Sequence, residues 1–471
     1  MLFQVNVKNL GKIKNADIRI GNFTVFAGKN STGKSYASKA LYSLLSAMNS
    51  NHVDVVLNQR LYRWLSRIRR MRPSIRRGVA QESMNNAMRD LRKIVGQIAV
   101  RDDADEFDVI DEALPKIHEL LEAIEQDFSM IKKETDRLLK RKNADAKSID
   151  SDMSYMRGRQ LEREKDMREE LALEFKHVKS LKPEDWVSEG IKHEIRENFL
   201  QNFQVTQLSH LHGTDNKPVR FNVPQMGGGI SIEDENISWN MGKDGLHLMQ
   251  KYPRVLYLES PIFWRLKNAL DNIRYQFPRF GGQAPVTGVP KYYYDMSAML
   301  DVPYTGEPVC PEVVEKLTGD KVLGGKVVVG ETDLFFQSNK GEKYPLRLAA
   351  TGIANLGILA FLIERNHFTE DSFLFIDEPE AHLHPAWQVE MVDALFELSK
   401  KGVNVVIATH SADILKWLEV EINTPELQEM VALNHFIKGT VQANDAQFDE
   451  RLSAMQKDLA EPYYKLYYKG L

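Results

Sequence analysis

The sequence predicts an α/β fold in which a mixed sheet is flanked by helices and a long helical arm is inserted after the first helix. Two observations predict it. A strand-like segment, a glycine-rich turn and an amphipathic helix follow one another within residues 23–48. Two fully apolar segments, 372–376 and 403–408, are separated by a helical pattern, and strand–helix–strand order predicts parallel pairing.

The first 27 residues are predicted to form strands. Apolar and polar side chains alternate from Phe3 to Val7 and from Ala16 to Ile20, which is typical of half-buried strands. The continuous apolar run Phe23–Ala27 indicates a buried strand. Apolar residues at helical spacing from Ala40 to Met48 predict the helix that follows the turn.

The turn between this strand and helix matches the phosphate-binding pattern G-x-x-x-x-G-K-[ST]. Its residues are Gly28, Lys29, Asn30, Ser31, Thr32, Gly33, Lys34 and Ser35. Glycines let successive backbone N–H groups turn toward a phosphate, and the helix N-terminus adds a favourable dipole. We expect Lys34 to reach the β- and γ-phosphates of ATP and Ser35 to ligate Mg²⁺.

Residues 51–214 are highly charged and helical in pattern, and they predict an inserted arm. An apolar seam spaced alternately by three and four residues indicates a coiled coil of about three heptads. The seam consists of Ile117, Leu121, Ile124, Phe128, Ile131, Thr135 and Leu138. The polar stretch 140–152 is the predicted tip of a helical hairpin; the alternative is a charged bundle packed on the core.

A basic cluster lies at the start of this arm, with no acidic residue between Asp54 and Glu82. Its members are Arg60, Arg63, Arg67, Arg69, Arg70, Arg72, Arg76 and Arg77, interleaved with Tyr62 and Trp64. Arginines beside aromatic residues suit nucleic-acid phosphates or an acidic protein that mimics them. A solvated helix face, or an interface paired with the acidic stretch 102–111, is the alternative.

Strand patterns return after residue 217, first as hairpins at 219–223, 229–232 and 237–239 and then as a strand at 254–259. Residues 265–320 have no assignable pattern. A hairpin at 326–336 is predicted to lead into a helix from Thr351 to Arg365.

Two acidic residues follow the apolar strand 372–376. We expect Asp377 to hold Mg²⁺ through water and Glu378 to be the base that activates the attacking water, since both emerge at the carboxyl edge of the sheet beside the phosphate loop. The next strand ends in Thr409-His410-Ser411, so His410 lies at the same edge. A lone histidine is usually a surface or core residue, but this position favours a γ-phosphate sensor.

These motifs and their order resemble the ABC-type ATPases, in the branch that includes SMC, RecF and overcoming-lysogenization-defect (OLD) proteins. The motif Asp-Glu-Pro-Glu-Ala-His-Leu-His-Pro at 377–385 is part of that resemblance. The resemblance implies an ATPase head at 1–50 and 215–435, an inserted arm at 51–214 and a C-terminal helical tail at 436–471. It also implies a homo-oligomer in which two heads enclose ATP.

The family's signature motif departs from its usual Ser-Gly-Gly sequence. The matching stretch contains Ala350, Thr351 and Gly352, so Thr351 is expected to supply the hydroxyl and Gly352 the close approach to the other head's nucleotide. Slow ATP turnover is expected. No glutamine occupies the family's glutamine loop, where Glu259 follows the strand.

The resemblance extends to stand-alone ATPase subunits of bacterial anti-phage systems, such as PARIS and, less closely, Septu. Residues 412–471 lack the glutamate and paired aspartates of the TOPRIM nuclease that OLD proteins carry. The implied function is an ATP-hydrolysing sensor and scaffold, toxin–antitoxin-like, which releases a separate TOPRIM nuclease effector on detecting a phage trigger protein.

A repair ATPase and a transporter ATPase are the two alternative functions. A RecF- or SMC-like repair ATPase would bind DNA through the arginine cluster, and the readout would be DNA-stimulated hydrolysis with steep salt dependence. A transporter ATPase is disfavoured by the charged arm and the missing glutamine.

Composition predicts a cytoplasmic location and no membrane association. The formal net charge is −4 over 471 residues, which excludes binding of nucleic acid by bulk charge. The single cysteine, Cys310, excludes an internal disulfide. No stretch approaches the ~20 apolar residues that a membrane-spanning helix needs, and the N-terminus lacks a signal-peptide pattern.

Overall fold

The computed structural model describes residues 2–50, 169–213, 215–250, 254–259, 288–300, 307–330, 333–441 and 446–469, with Tyr252 and scattered helical residues between 52 and 166. Two compact units divide the chain. The first comprises residues 1–49, 195–278 and 284–471, and the second comprises 50–194 and 279–283. The first unit resumes at Ile195, earlier than the head boundary of 215 expected from the sequence.

The strands of the described residues all lie in the first unit. They are β1 Phe3–Leu10, β2 Ile13–Ile20, β3 Phe23–Ala27, β4 Val219–Val223, β5 Gly228–Glu233, β6 Asn236–Trp239, β7 Val255–Leu258, β8 Gly325–Val329, β9 Leu334–Ser338, β10 Lys343–Pro345, β11 Phe373–Asp377, β12 Asn404–Thr409, β13 Val431–His435 and β14 Thr440–Val441.

Ten α-helices have complete bounds within the described residues. They are α1 Lys34–Met48, α2 Pro183–Phe203, α3 Lys243–Gln250, α4 Lys291–Leu300, α5 Pro311–Thr318, α6 Thr351–Glu364, α7 Pro385–Lys400, α8 Ala412–Glu421, α9 Pro425–Met430 and α10 Phe448–Lys469.

A five-stranded parallel sheet carries the site. Its strand order is β13-β3-β12-β11-β7, and every pair within it is parallel. Strands β3, β11 and β12 are buried along nearly their whole length, which explains their continuous apolar sequences. The register places Asp377 beside Ala408 and Thr409 beside Ala27, so the carboxyl ends of these strands lie at one edge.

A second sheet has the order β14-β2-β1-β4-β5-β6 and is antiparallel except for the β14–β2 pair. Strands β1 and β4 alternate between buried and more accessible residues, as the sequence predicted. A third sheet, β10-β9-β8, contains the predicted hairpin and leads to α6. The α/β fold with mixed strand pairing and flanking helices is therefore confirmed.

Helix α1 packs on the five-stranded sheet. The buried side chain of Asn202 in α2 joins α1 to α4 by hydrogen bonds, and we call it the polar anchor. Asn202, only 2% exposed, donates from Nδ2 to Ser43 Oγ at 2.9 Å. Its Oδ1 accepts from the backbone N–H of Tyr292 at 3.1 Å. Buried polar groups cost stability unless they are hydrogen-bonded, so this asparagine fixes where the three helices meet.

The C-terminal residues belong to the first unit, and helix α10 lies among them. Strand β14 pairs with β2, and helix α10 packs on α8 and β13. Strand β13 pairs with β3, the strand that precedes the phosphate loop. Sequence alone did not reveal this because the pairing joins residues about 400 positions apart.

The second unit contains a helix at 169–180, where Leu171, Phe175 and Val178 are buried at helical spacing. Of the predicted seam, Ile117 and Leu121 are helical and buried. The other five seam residues and the proposed hairpin tip at 140–152 lie outside the described residues.

Arg60 is buried, which differs from the prediction that it belongs to a basic surface. It is 8% exposed, forms an ion pair with Glu189 and lies over the Trp186 ring at 5.9 Å. A guanidinium so engaged contributes to packing within the second unit and does not present a charge to nucleic acid. The cluster's other arginines lie outside the described residues.

No helix among the described residues is long and apolar enough to cross a membrane.

Candidate functional site

The predicted phosphate loop lies between the buried strand β3 and helix α1. Gly28 has φ 154° and Gly33 φ 106°, values that L-residues with a side chain rarely adopt. A Cβ at Gly28 would clash with the backbone oxygen of Phe436. Position 28 therefore requires a glycine, both because of its backbone conformation and because the backbone of Phe436 lies so close.

Lys34 is held inside this loop and is 6% exposed. Its Nζ donates to the carbonyl oxygens of Gly28 at 2.7 Å and of Lys29 at 3.0 Å. Burial lowers the pKa of Lys34, while the carboxylates of Asp377 and Glu378 act in the opposite direction. The ammonium group is thus desolvated in a loop built to hold an anion.

Lys29 and Asn30, by contrast, are exposed. Lys29 Nζ forms an ion pair with Asp458 of α10 at 2.9 Å and a second one with Glu461. These hydrogen bonds raise the pKa of Lys29. Of the loop's two lysines, only Lys34 has its ammonium group buried within the loop.

The remaining loop residues shape the backbone. Thr32 Oγ1 donates to the carbonyl oxygen of Lys29 at 2.9 Å, and Ser31 adopts a left-handed φ of 64°. Ser31 is exposed, whereas Thr32 is buried. These two residues therefore set the curvature of the loop backbone.

Ser35, in the first turn of α1, contacts the end of β11. Its Oγ donates to Asp377 Oδ1 at 3.1 Å. Burial raises the pKa of Asp377 to about 6, and the hydrogen bond from Ser35 opposes that rise. The structure therefore brings together the two side chains that the sequence predicted as Mg²⁺ ligands.

Glu259 was assigned no role from the sequence. It directly follows β7, the strand that pairs with β11. The β7–β11 register places it next to Asp377, and its charge contributes to raising the Asp377 pKa. Lys39 Nζ forms an ion pair with Glu259 at 2.7 Å, and the Tyr292 hydroxyl donates to it. Burial, followed by the charge of Glu259, raises the pKa of Tyr292 well above its ordinary value.

Glu378 begins the turn after β11 with a left-handed φ of 54°, and its side chain is 48% exposed. Its backbone N–H donates to the carbonyl oxygen of Ala408 at 2.8 Å. Strained backbone of this kind persists only where the surroundings fix it, and it is concentrated at functional sites. The side chain of the predicted base, Glu378, is therefore held at the edge of the sheet by a fixed backbone and is accessible to solvent.

His410 lies at the same edge, as the sequence predicted. Its Nδ1 is 3.5 Å from Glu378 Oε1 and 3.3 Å from Glu380 Oε1. The sequence analysis missed Glu380, which is only 6% exposed. Its position in the motif at 377–385 was visible, but sequence periodicity gives no sign that a turn residue is buried.

Thr351 and Gly352 begin helix α6, after Ala350 at the N-cap. Gly352 is buried, and a Cβ there would lie 2.9 Å from the carbonyl oxygen of His382. Asn355 Nδ2 donates to the carbonyl oxygen of Ala381 at 3.3 Å. The start of α6 is therefore packed on the turn that carries the acidic residues.

The donor set fits Mg²⁺ bound to a nucleotide. Mg²⁺ prefers oxygen ligands and is usually bound by one or two protein side chains together with substrate phosphates. A hydroxyl and one carboxylate meet that requirement. Within the described residues there is no group of three or more histidine, cysteine or acidic residues that would hold a metal by itself.

The fold and this loop define a P-loop ATPase. The model of the family described as AAA ATPase domain matches residues 1–226 and 306–415, and the chain belongs to that family. No curated protein matches the chain.

Solved structures with similarity to the chain include three SMC heads. The Pyrococcus furiosus Smc head with an extended coiled coil, bound to the C-terminal domain of ScpA, has 12% identity and a TM-score of 0.30, with 96% of this chain and 98% of that chain covered. The Pyrococcus yayanosii Smc head with a coiled coil and joint has 12% identity, the same coverage and a TM-score of 0.32. The Thermotoga maritima SMC head has 13% identity and a TM-score of 0.26, over 55% of this chain and 86% of that chain.

Proposed function

We propose that this chain binds Mg²⁺–ATP and hydrolyses it to ADP and phosphate. The observation that carries the proposal is the hydrogen bond between Ser35 and Asp377, which brings the phosphate loop and the acidic end of β11 together in one site. Membership of the AAA ATPase domain family supports it.

The loop and two side chains would hold the substrate. Backbone N–H groups of residues 28–35 and the buried ammonium of Lys34 bind phosphate oxygens, and an anion there compensates for the desolvation of Lys34. Ser35 and, through water, Asp377 would hold Mg²⁺, which would supply electrostatic stabilisation of charge on the phosphates.

Glu378 and His410 would carry the chemistry. Glu378 accepts a proton from the attacking water, for which its accessible carboxylate at the edge of the sheet is suited. His410, next to it at 3.5 Å, contacts the transferred phosphoryl group. Thr351 and Gly352 contact the nucleotide of a second head in a homo-oligomer.

Phosphate release measured at a series of Mg²⁺ concentrations tests the ATPase. We expect turnover that requires Mg²⁺, is abolished by EDTA and falls at least tenfold in Asp377→Ala. If protein depleted of metal released phosphate at the same rate before and after Mg²⁺ was added back, the proposal would be refuted.

We further propose that the ATPase is the sensor and scaffold of a bacterial anti-phage complex, which holds a separate TOPRIM-type nuclease and releases it on detecting a phage protein. The support is the resemblance of the architecture, an ATPase head with an inserted helical arm and without TOPRIM carboxylates in residues 412–471, to the stand-alone ATPase subunits of such systems.

Co-purification tests this second proposal. The tagged chain is expressed from its native operon, and the purified material is analysed by mass spectrometry and by size exclusion with light scattering. A stoichiometric nuclease partner in a large oligomer would support the proposal. A monomer or dimer carrying only nucleic acid, with DNA-stimulated hydrolysis, would replace it with a repair ATPase.

A further inference from the structure

Glu380 is a buried carboxylate that connects two loops of the site. Its Oε1 accepts a hydrogen bond from Thr409 Oγ1 at 2.7 Å and another from the backbone N–H of His410 at 2.9 Å. The same oxygen is 3.3 Å from His410 Nδ1. One carboxylate oxygen on the turn after β11 therefore holds the residues that end β12.

Burial of this carboxylate is costly. Glu380 is 6% exposed, and its Oε2 is buried without a hydrogen-bond partner among the described residues. A buried charge that is not fully hydrogen-bonded destabilises a fold, and an apolar residue of similar volume is often no less stable in its place. Stability alone therefore does not account for a glutamate at this position.

Glu380 holds His410 to the turn after β11 through both the backbone N–H and the ring Nδ1 of the histidine. The side chains of Glu378 and His410 are 48% and 41% exposed, on turns at the ends of different strands. The hydrogen-bond chain continues inward, since Ser411 N–H donates to Thr409 Oγ1 at 3.0 Å and Ser411 Oγ donates to Gln388 Oε1 at 3.0 Å. The loop after β12 is thus anchored from the buried side.

We propose that Glu380 is a positioning residue that fixes the orientation and tautomer of His410 for ATP hydrolysis; this rests on the proposed ATPase. Its Oε1 and that of Glu378 both face Nδ1, at 3.3 and 3.5 Å. Carboxylate oxygens accept hydrogen bonds, so Nδ1 carries the hydrogen and Nε2 is the ring nitrogen left for the phosphoryl group.

The variant Glu380→Gln keeps the shape of the side chain and removes its charge. We expect kcat for ATP to fall about 10- to 100-fold with KM changed less than twofold, because the hydrogen bonds of Glu380 go to Thr409 and His410 and not to Lys34 or Ser35. The exposed Glu421→Gln is the matched control and should hydrolyse ATP at the wild-type rate. An unchanged kcat in Glu380→Gln would overturn the proposal.

A second readout uses the nucleotide-free protein. Ring ¹⁵N chemical shifts of ¹⁵N-histidine protein, with His410 assigned by its absence in His410→Gln, report which nitrogen is protonated. We expect the Nδ1–H form in wild type and a smaller population of it in Glu380→Gln and in Thr409→Val, because a neutral amide oxygen is a weaker acceptor and loss of the Thr409 hydroxyl removes a bond that holds the carboxylate in place. If the His410 shifts were identical in wild type and both variants, the positioning role would be refuted.

The two readouts separate this proposal from the ATPase on which it rests. If the wild-type chain hydrolyses no ATP, the proposed function fails, while the ¹⁵N shifts still decide whether Glu380 orients His410. If Glu380→Gln does not fold, Thr409→Val removes one of the hydrogen bonds and leaves the carboxylate in place. A wild-type kcat in a folded Thr409→Val with unchanged shifts would then overturn the proposal.

Discussion

Ser35 Oγ donates a hydrogen bond to Asp377 Oδ1 at 3.1 Å, which joins the first turn of α1 to the last residue of β11. The two residues are 342 positions apart in the chain. They meet because β3 and β11 both pair with β12 in parallel, so that all three strands end at the same edge. A Mg²⁺–nucleotide site at this edge is the simplest chemical use of a hydroxyl, a carboxylate and an adjacent phosphate loop.

Lys34→Met should weaken nucleotide binding. The substitution removes the buried ammonium but keeps a flexible apolar stem, and we expect the Kd for a fluorescent ATP analogue to rise at least 30-fold, equivalent to about 2 kcal/mol. Lys29→Met is the matched control in the same loop, because the Lys29 ammonium is engaged with α10. We expect its Kd to change less than threefold; equal losses in both variants would contradict the assignment.

Asn202→Leu should destabilise the first unit. It leaves the buried backbone N–H of Tyr292 without its acceptor and removes the amide that donates to Ser43 Oγ, which costs about 1–3 kcal/mol in free energy of unfolding. Urea denaturation of wild type and variant measures the difference. Ser43→Ala is the comparison and should cost less, since it loses the hydroxyl contact and keeps the bond to Tyr292. A change below about 0.5 kcal/mol in Asn202→Leu would show that the anchor is unimportant.

His367 should make the fold less stable in acid. It is 4% exposed, its Nε2 has no hydrogen-bond partner among the described residues, and burial, with the charges of Arg254 and Arg365, lowers its pKa to about 4. The unfolded chain takes up the proton near pH 6.5 and the folded chain only near 4. Stability from this residue is therefore complete above pH 6.5 and is lost as the pH falls toward 4.

The variant His367→Gln measures this loss. From the two pKa values, wild type should lose about 1 kcal/mol more than the variant between pH 7.5 and 5.5 in chemical denaturation. The exposed His382→Gln should show the wild-type pH dependence. An identical pH dependence in wild type and His367→Gln would contradict the prediction.

The sequence predicted the local part of the fold well. Strands β1 to β3, helix α1, and the strands β11 and β12 follow from periodicity and composition, because each is specified by its own residues. The expected convergence of Ser35, Asp377, Glu378 and His410 at one edge followed from the rule that parallel strands present their carboxyl ends together.

The parts that were missed depend on distant residues. The pairing of β13 with β3 and the ion pair of Lys29 with Asp458 connect segments that no local pattern links. The burial of Glu380 and the placement of Glu259 beside Asp377 depend on how turns and strands pack. Periodicity reports which face of an element is apolar, and it gives no information on which polar turn residue is covered.

The most direct test of the account compares ATP binding and single-turnover hydrolysis in wild type and Glu378→Gln. The account predicts that the variant binds Mg²⁺–ATP with an affinity within about threefold of wild type and hydrolyses it at least 100-fold more slowly, because the glutamine keeps the shape of the side chain but accepts no proton from water. Hydrolysis by Glu378→Gln at the wild-type rate would show that Glu378 is not the base and would contradict the mechanism proposed for this site.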